Sequence, residues 1–184
     1  MNTTPSPWKT LSSEVKYRNP WMTVREDKVV RPEGTEGIYG VIEKRPGVYV
    51  IALDERDRIC MVEQFRYPTQ NWSWEVPAGG TDEEDVLTAA KRELWEETGF
   101  QCSEIREIGT FEALNGNSNA LGHVTIARGL TQTGQHKQLE DGISAVRFVT
   151  FTEFLTMVKE EECRDGLTSM AVLKVALELK WLPL

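Results

Sequence analysis

No run of apolar residues in this chain approaches the length of a bilayer span, so no membrane partner is expected. Its opening residues, MNTTPSPWKT, carry neither the cationic nor the apolar segment of a secretory leader. Basic charge is scarce: 21 Lys and Arg stand against 29 Asp and Glu, a formal net charge of −8. That balance argues against nucleic acid held on a broad basic surface, though a bound dication would still let a nucleotide approach. Cysteine is sparse and odd in number, and Cys60, Cys102 and Cys163 form no CxxC pair. A reduced, cytoplasmic protein with bystander thiols is the simplest expectation. Neither an internal repeat nor a low-complexity tract is present.

What is there describes an ordinary globular chain of 184 residues, 40% hydrophobic and 27% charged. The expected division is an N-terminal arm with strands over 1–45, followed by a main domain over 46–184. Residues 1–20 read as an irregular arm with one short strand. Residues 24–30 and 37–42 read as strands around the turn-rich Arg31-Pro32-Glu33-Gly34. Residues 47–53 form an apolar strand, and the turn Asp54–Asp57 leads to 59–65 as its antiparallel partner. Further strands are expected at 104–113, 121–128 and 143–150, a short helix from Thr152 and a longer one over 168–179. Strands around one helix, with more helices at the end, suggest α+β or a mixed-sheet sandwich.

The most informative segment is AGGTDEEDVLTAAKRELWEETGF, residues 78–100. A helix of about fifteen residues is predicted, with Thr81 or Asp82 near its N-cap and Gly99 closing it. Glu93, Glu96 and Glu97 stand at i, i+3 and i+4 and project to one side. At roughly 100° per residue they abut the apolar stripe of Val86, Leu87, Ala90 and Leu94 rather than oppose it. Carboxylates at a core margin are costly unless compensated, so a hard divalent cation is one reading and a solvated acidic face the other.

From Glu84 onward, through Arg92-Glu93-Leu94-Trp95-Glu96-Glu97-Thr98-Gly99-Phe100, the segment resembles the Nudix hydrolase signature, G-x5-E-x7-R-E-U-x-E-E-x-G-U. One departure is visible: Ala78 stands where the pattern begins with Gly, and the nearest glycines are Gly79 and Gly80. Outside the signature the chain is similar to the ADP-ribose pyrophosphatase branch. That similarity rests on Asn19-Pro20-Trp21, Glu63-Gln64-Phe65-Arg66, Trp74-Glu75-Val76-Pro77-Ala78-Gly79, residues 148–154 and Arg164-Asp165-Gly166-Leu167-Thr168-Ser169.

The resemblance implies an α/β/α sandwich around a mixed β-sheet, with N-terminal antiparallel strands that take part in a homodimer. It implies Mg²⁺- or Mn²⁺-dependent hydrolysis of a small nucleoside diphosphate derivative, ADP-ribose or a nucleotide sugar, at its pyrophosphate linkage. Glu93 and Glu97 would be the principal metal ligands, joined by Glu96 and the Ala78 carbonyl. Glu84 would bind through water or pair with Arg92, and Arg92 would buttress the carboxylates. Arg66 is the candidate phosphate contact, a surface salt bridge being its alternative. Glu140 is the candidate general base, with an ordinary turn acid as its alternative. Trp21, Trp72 and Trp74 are candidates to stack on a base, core packing being the alternative for each. The Asn-rich stretch Asn115–His123 departs from the branch and leaves the X group of the substrate open. The rival from another class is a non-catalytic nucleotide-binding regulatory module on the same fold.

Overall fold

The structure is a computed structural model that describes residues 5–134 and 142–182. The chain divides into two compact units, Met1–Arg45 with Glu112–Ala120, and Pro46–Phe111 with Leu121–Leu184.

The first unit is an antiparallel meander of β1 (Lys9–Arg18), β2 (Met22–Val30) and β3 (Glu36–Lys44), in that order. Asn19 sets the first turn, its Oδ1 accepting the Trp21 and Met22 amides at 2.9 Å each. Asp27 is buried and receives the Ser13 hydroxyl at 2.6 Å and the guanidinium of Arg25, which also holds Glu43 at 2.8 Å. The segment 112–120 is stitched to β3. The Ile42 amide donates to the Asn117 carbonyl at 2.8 Å, the Tyr39 hydroxyl to the Gly116 carbonyl at 2.6 Å, and the Lys44 amide to Asn119 Oδ1 at 3.2 Å. The expected irregular arm is corrected here. β1 is a ten-residue strand, every residue of it exposed, so its ladder to β2 holds it rather than any buried face.

The second unit contains β4 (Gly47–Ala52), β5 (Ile59–Arg66), β6 (Asn71–Glu75), β7 (Ala78–Gly80), α1 (Val86–Thr98), β8 (Phe100–Glu112), β9 (Leu121–Gln132), β10 (Ile143–Val149), α2 (Phe151–Lys159) and α3 (Gly166–Glu178). One sheet has the order β7-β4-β9-β8 and is mixed, β4 running parallel to β9 and antiparallel to β7. The other, β10-β5-β6, is antiparallel. Strand alternation splits β4 between two cores. Val48, Val50 and Ala52 meet Ala89, Ala90 and Leu94 of α1. Ile51 and Leu53 join Ala171, Val172 and Val175 of α3. Helices therefore cover both faces, as the expected α/β/α sandwich requires, and each fully buried Val, Leu or Ile stabilises it by about 1.5–3 kcal/mol.

Two expectations fail in this unit. β4 and β5 do not form a ladder, since only the bridge Leu53↔Ile59 joins them. β9 takes one edge of β4 along its length, and β7 takes the first half of the other, Gly47–Tyr49. The N-cap of α1 is Asp85, not Thr81 or Asp82; its carboxylate accepts the Leu87 and Thr88 amides at 3.1 Å. Asp82 and Glu83 adopt left-handed backbone, φ 46° and 73°, which delays the first helical residue to Val86. Gly99 ends the helix in left-handed conformation, φ 74°, its amide donating to the Trp95 carbonyl at 2.8 Å.

Candidate active site

The loop before α1 is strapped to β4 along its length. The Val50 amide donates to the Pro77 carbonyl at 2.8 Å, Ala78–Gly80 pair with Tyr49–Gly47, and the Thr81 amide donates to Pro46 at 3.0 Å. α1 packs on the same strand, so its acids and this loop are held by one element. Glu93 and Glu97 are buried, 9% and 4% exposed, as their place beside the apolar stripe requires.

Arg92 organises these acids. Its Nε donates to Glu84 at 2.8 Å, Nη1 to Glu93 at 2.7 Å and to Glu96 at 3.3 Å, and Nη2 to the Gly80 carbonyl at 2.9 Å. Burial opposes its charge, but the bonds to Glu84 and Glu93 hold the guanidinium well above its ordinary range. Glu97 turns to the loop, its Oε2 accepting the Ala78 amide at 3.0 Å. Gly79 passes so close to α1 that a Cβ there would overlap the Glu93 carboxylate. The close-approach glycine thus sits one position after Ala78. Beyond it, Asp82 and Glu83 turn the chain towards α1 in left-handed backbone.

Among the described residues, no three carboxylate, thiol or imidazole groups are gathered as a ready-made metal site. Glu93 and Glu96 instead share Arg92. The donor chemistry nevertheless suits Mg²⁺ or Mn²⁺. The acids are hard oxygen donors at a buried margin, and they outnumber the guanidinium that binds them.

Arg66, at the end of β5, pairs with Glu75 of β6 in the two-toothed geometry of a guanidinium on a carboxylate. Nε lies 3.1 and 3.2 Å from the two oxygens and Nη2 2.6 Å from one of them. Tyr49 is pushed up to about 12, by burial first and the Asp165 charge second, and stays a neutral phenol at neutral pH. Burial, with the Glu97 charge behind it, raises the Cys60 thiol; burial also raises Cys163, to about 11. Neither thiol is a ready nucleophile.

The remaining candidates scatter. Trp21 is 76% exposed on the β1–β2 turn of the first unit. Trp72 stands edgewise on Phe65, and Trp74 lies under the Arg147 guanidinium, 4.0 Å from its ring centre. His123 on β9 pairs with Glu107 of β8 at 2.7 Å. Glu140 lies outside the described residues. Sequence reasoning passed over Glu75 and Gly79. The signal for Glu75 was a carboxylate inside a Trp-bearing strand just before the loop. Nothing in one sequence singles out Gly79 from Gly80. A shallow cavity of about 360 Å³, lined by Lys91, Arg92, Trp95, Gln101 and Cys102, touches the acid cluster only through Arg92.

Comparison with known proteins adds to this geometry. Residues 43–166 match the NUDIX domain, and residues 8–42 match the nucleoside diphosphate sugar hydrolase N-terminal domain. The chain is 31% identical over 166 residues to the methanol dehydrogenase activator of Bacillus methanolicus, covering 89% of this chain and 90% of that protein. Over the same length and the same shares it is 30% identical to the ADP-ribose pyrophosphatase of Bacillus subtilis (strain 168). A crystal structure of an ADP compounds hydrolase superposes with a TM-score of 0.83 over 98% of both chains, at 16% identity, a likeness of fold. Among the described residues no helix is long and apolar enough to cross a membrane.

Proposed function

The chain belongs to the Nudix family of pyrophosphohydrolases, and from that membership we propose that it cleaves ADP-ribose or a nucleotide sugar at the pyrophosphate linkage with the help of Mg²⁺ or Mn²⁺. The observation that carries this reading is the buried acid cluster of α1, organised by Arg92 and closed by the Ala78–Gly80 loop. Glu93, Glu96 and Glu97, with the Ala78 carbonyl, are the residues that would hold the metal. Bound there, the ion would neutralise charge on the phosphoryl oxygens and acidify a water. Arg92 ties Glu84, Glu93 and Glu96 together, and Glu93 or Glu96 would give up part of its hold on Arg92 to a bound ion. Arg66 takes a phosphate oxygen, and Glu140 accepts the proton of the attacking water. The N-terminal match supports a nucleotide-sugar or ADP-ribose substrate over other diphosphates.

The exposed strand β1, with Leu11, Val15 and Tyr17 on it, and Ile38 of β3 support a homodimer built through the first unit, which sedimentation measures directly. Free Cys60 and Cys163, both buried, suit a reducing compartment such as the cytoplasm.

Release of AMP or UMP, with the matching sugar phosphate, from ADP-ribose, ADP-glucose and UDP-glucose with Mg²⁺ or Mn²⁺, wild type against Glu97→Gln, tests the reading. Undiminished turnover in the variant removes the metal site. A second reading, a regulatory module acting on a partner protein, draws on the similarity to the methanol dehydrogenase activator. Tight nucleotide binding with no turnover of any substrate would favour it.

A further inference from the structure

Val62 stands opposite Glu75, Gln64 opposite Ser73 and Arg66 opposite Asn71 in the β5–β6 ladder. Residues directly opposite share a face, and alternation puts Cys60, Val62, Gln64 and Arg66 on one side of β5. Cys60 belongs to the core built with Ala89, Ala90 and Leu94 of α1. Arg66 and Glu75 therefore stand on the α1 side, where the acid cluster is.

The pair is lopsided. The Glu75 side chain is 3% exposed and that of Arg66 43%. A buried carboxylate must be paired, and a half-exposed cation contributes only modestly to folding. With Nε and Nη2 committed to Glu75, Nη1 makes no hydrogen bond among the described residues. Burial opposes the Arg66 charge, yet Glu75, and beyond it Glu97 and Asp165, hold it above its ordinary value. A fixed cation beside an acidic metal site matches a diphosphate, whose oxygens need both.

We propose that Glu75 is a positioning residue: its buried carboxylate locks one edge of the Arg66 guanidinium so that the other edge receives a phosphoryl oxygen of the diphosphate. This rests on the reading that the diphosphate binds at the α1 acids. Glu75 touches no substrate and acts only through Arg66, so the two residues must be energetically coupled towards the ligand.

The test is a double-mutant cycle of Glu75→Gln and Arg66→Ala, read by the dissociation constant of ADP with Mg²⁺, by kcat and KM for ADP-ribose, and by melting temperature. Glu75→Gln is expected to weaken ADP about tenfold in the wild-type background. It should change nothing further once Arg66 is Ala, and Glu75→Asp should recover part of the loss. Equal weakening in both backgrounds, or none in either, overturns the proposal. If Glu75→Gln fails to fold, Glu75→Asp runs the same cycle with the same criterion. A wild type that binds ADP but hydrolyses nothing overturns the hydrolase reading alone, since the ADP cycle still decides the coupling. A wild type that binds no ADP overturns both.

Discussion

Gly79→Ala separates the chemistry of this fold from its stability. One methyl group would be added where the loop passes the Glu93 carboxylate, and the atoms met are the far end of that side chain, its Cδ and both oxygens. Gly79 is not in left-handed backbone, so no conformational penalty accompanies the change. The carboxylate can swing aside, at an overpacking cost of about 1–2 kcal/mol. For a chain of this size that lowers the melting temperature by roughly 2–8 °C. Swinging aside disturbs the 2.7 Å bond to Arg92 and carries Glu93 away from its neighbours on α1. A displacement of about 1 Å in such a group costs on the order of a hundredfold in rate. Gly80→Ala is the control. Its Cβ would approach Asp82 Oδ1 to 3.2 Å, a contact a surface side chain can relieve, so only a small loss is expected. The assay is kcat/KM for ADP-ribose with Mg²⁺ beside thermal melts of both variants. A Gly79→Ala protein with wild-type kcat/KM, or one whose melting falls as steeply as its rate, would refute the reasoning.

Arg92→Ala removes the cation shared by Glu84, Glu93 and Glu96 and is expected to cost about 2 kcal/mol, less than a fully buried pair would because the arginine is partly exposed. Mg²⁺ should then raise the melting temperature of the variant more than that of the wild type; an equal or smaller rise would show that the ion does not replace the lost charge. Glu83→Gly relieves a non-glycine residue at φ 73° and should stabilise the protein by about 1 kcal/mol, read from the urea midpoint at unchanged slope. Burial alone would raise the Asp54 carboxyl, but the Arg58 and Arg56 amides and the Arg58 guanidinium hold it below its ordinary 3.8. Its contribution is therefore present above pH 3.8 and fades as pH falls through the lower folded value. The melting difference between wild type and Asp54→Asn should shrink below that pH, and a difference that persists there would contradict the assignment.

The acid helix was legible because its signal is local. Spacing fixes which side Glu93, Glu96 and Glu97 share, and the apolar stripe fixes that side's depth. Strands 47–52, 59–66 and 143–149 were legible from composition for the same reason. Their partners were not, because pairing is decided by which distant strand reaches a free edge. The parallel ladder of β4 with β9 joins residues more than seventy positions apart, and no local pattern announces it. The length of β1 was under-read, one short strand being expected where ten residues pair, because alternation was sought as a sign of burial and every residue of this strand is exposed. The N-cap was misplaced because Asp82 and Glu83 adopt left-handed backbone, which local sequence did not announce and which delays the helix to Val86. Arg66 was legible as a residue, but its anchor Glu75 was not, since a diagonal pair across two strands requires the register.

The tongue at 112–120 gives the first unit a seam in time. A ribosome releases residues 1–45 well before 112–120, so the tie from Asn117 to Ile42 and the tie from Gly116 to Tyr39 wait for much of the later chain. A graft that moves residues 46–184 onto another leader sequence carries the tongue away from the strand it was sewn to. Swapping such modules among relatives is expected to succeed only when the cut follows the seam rather than residue 45.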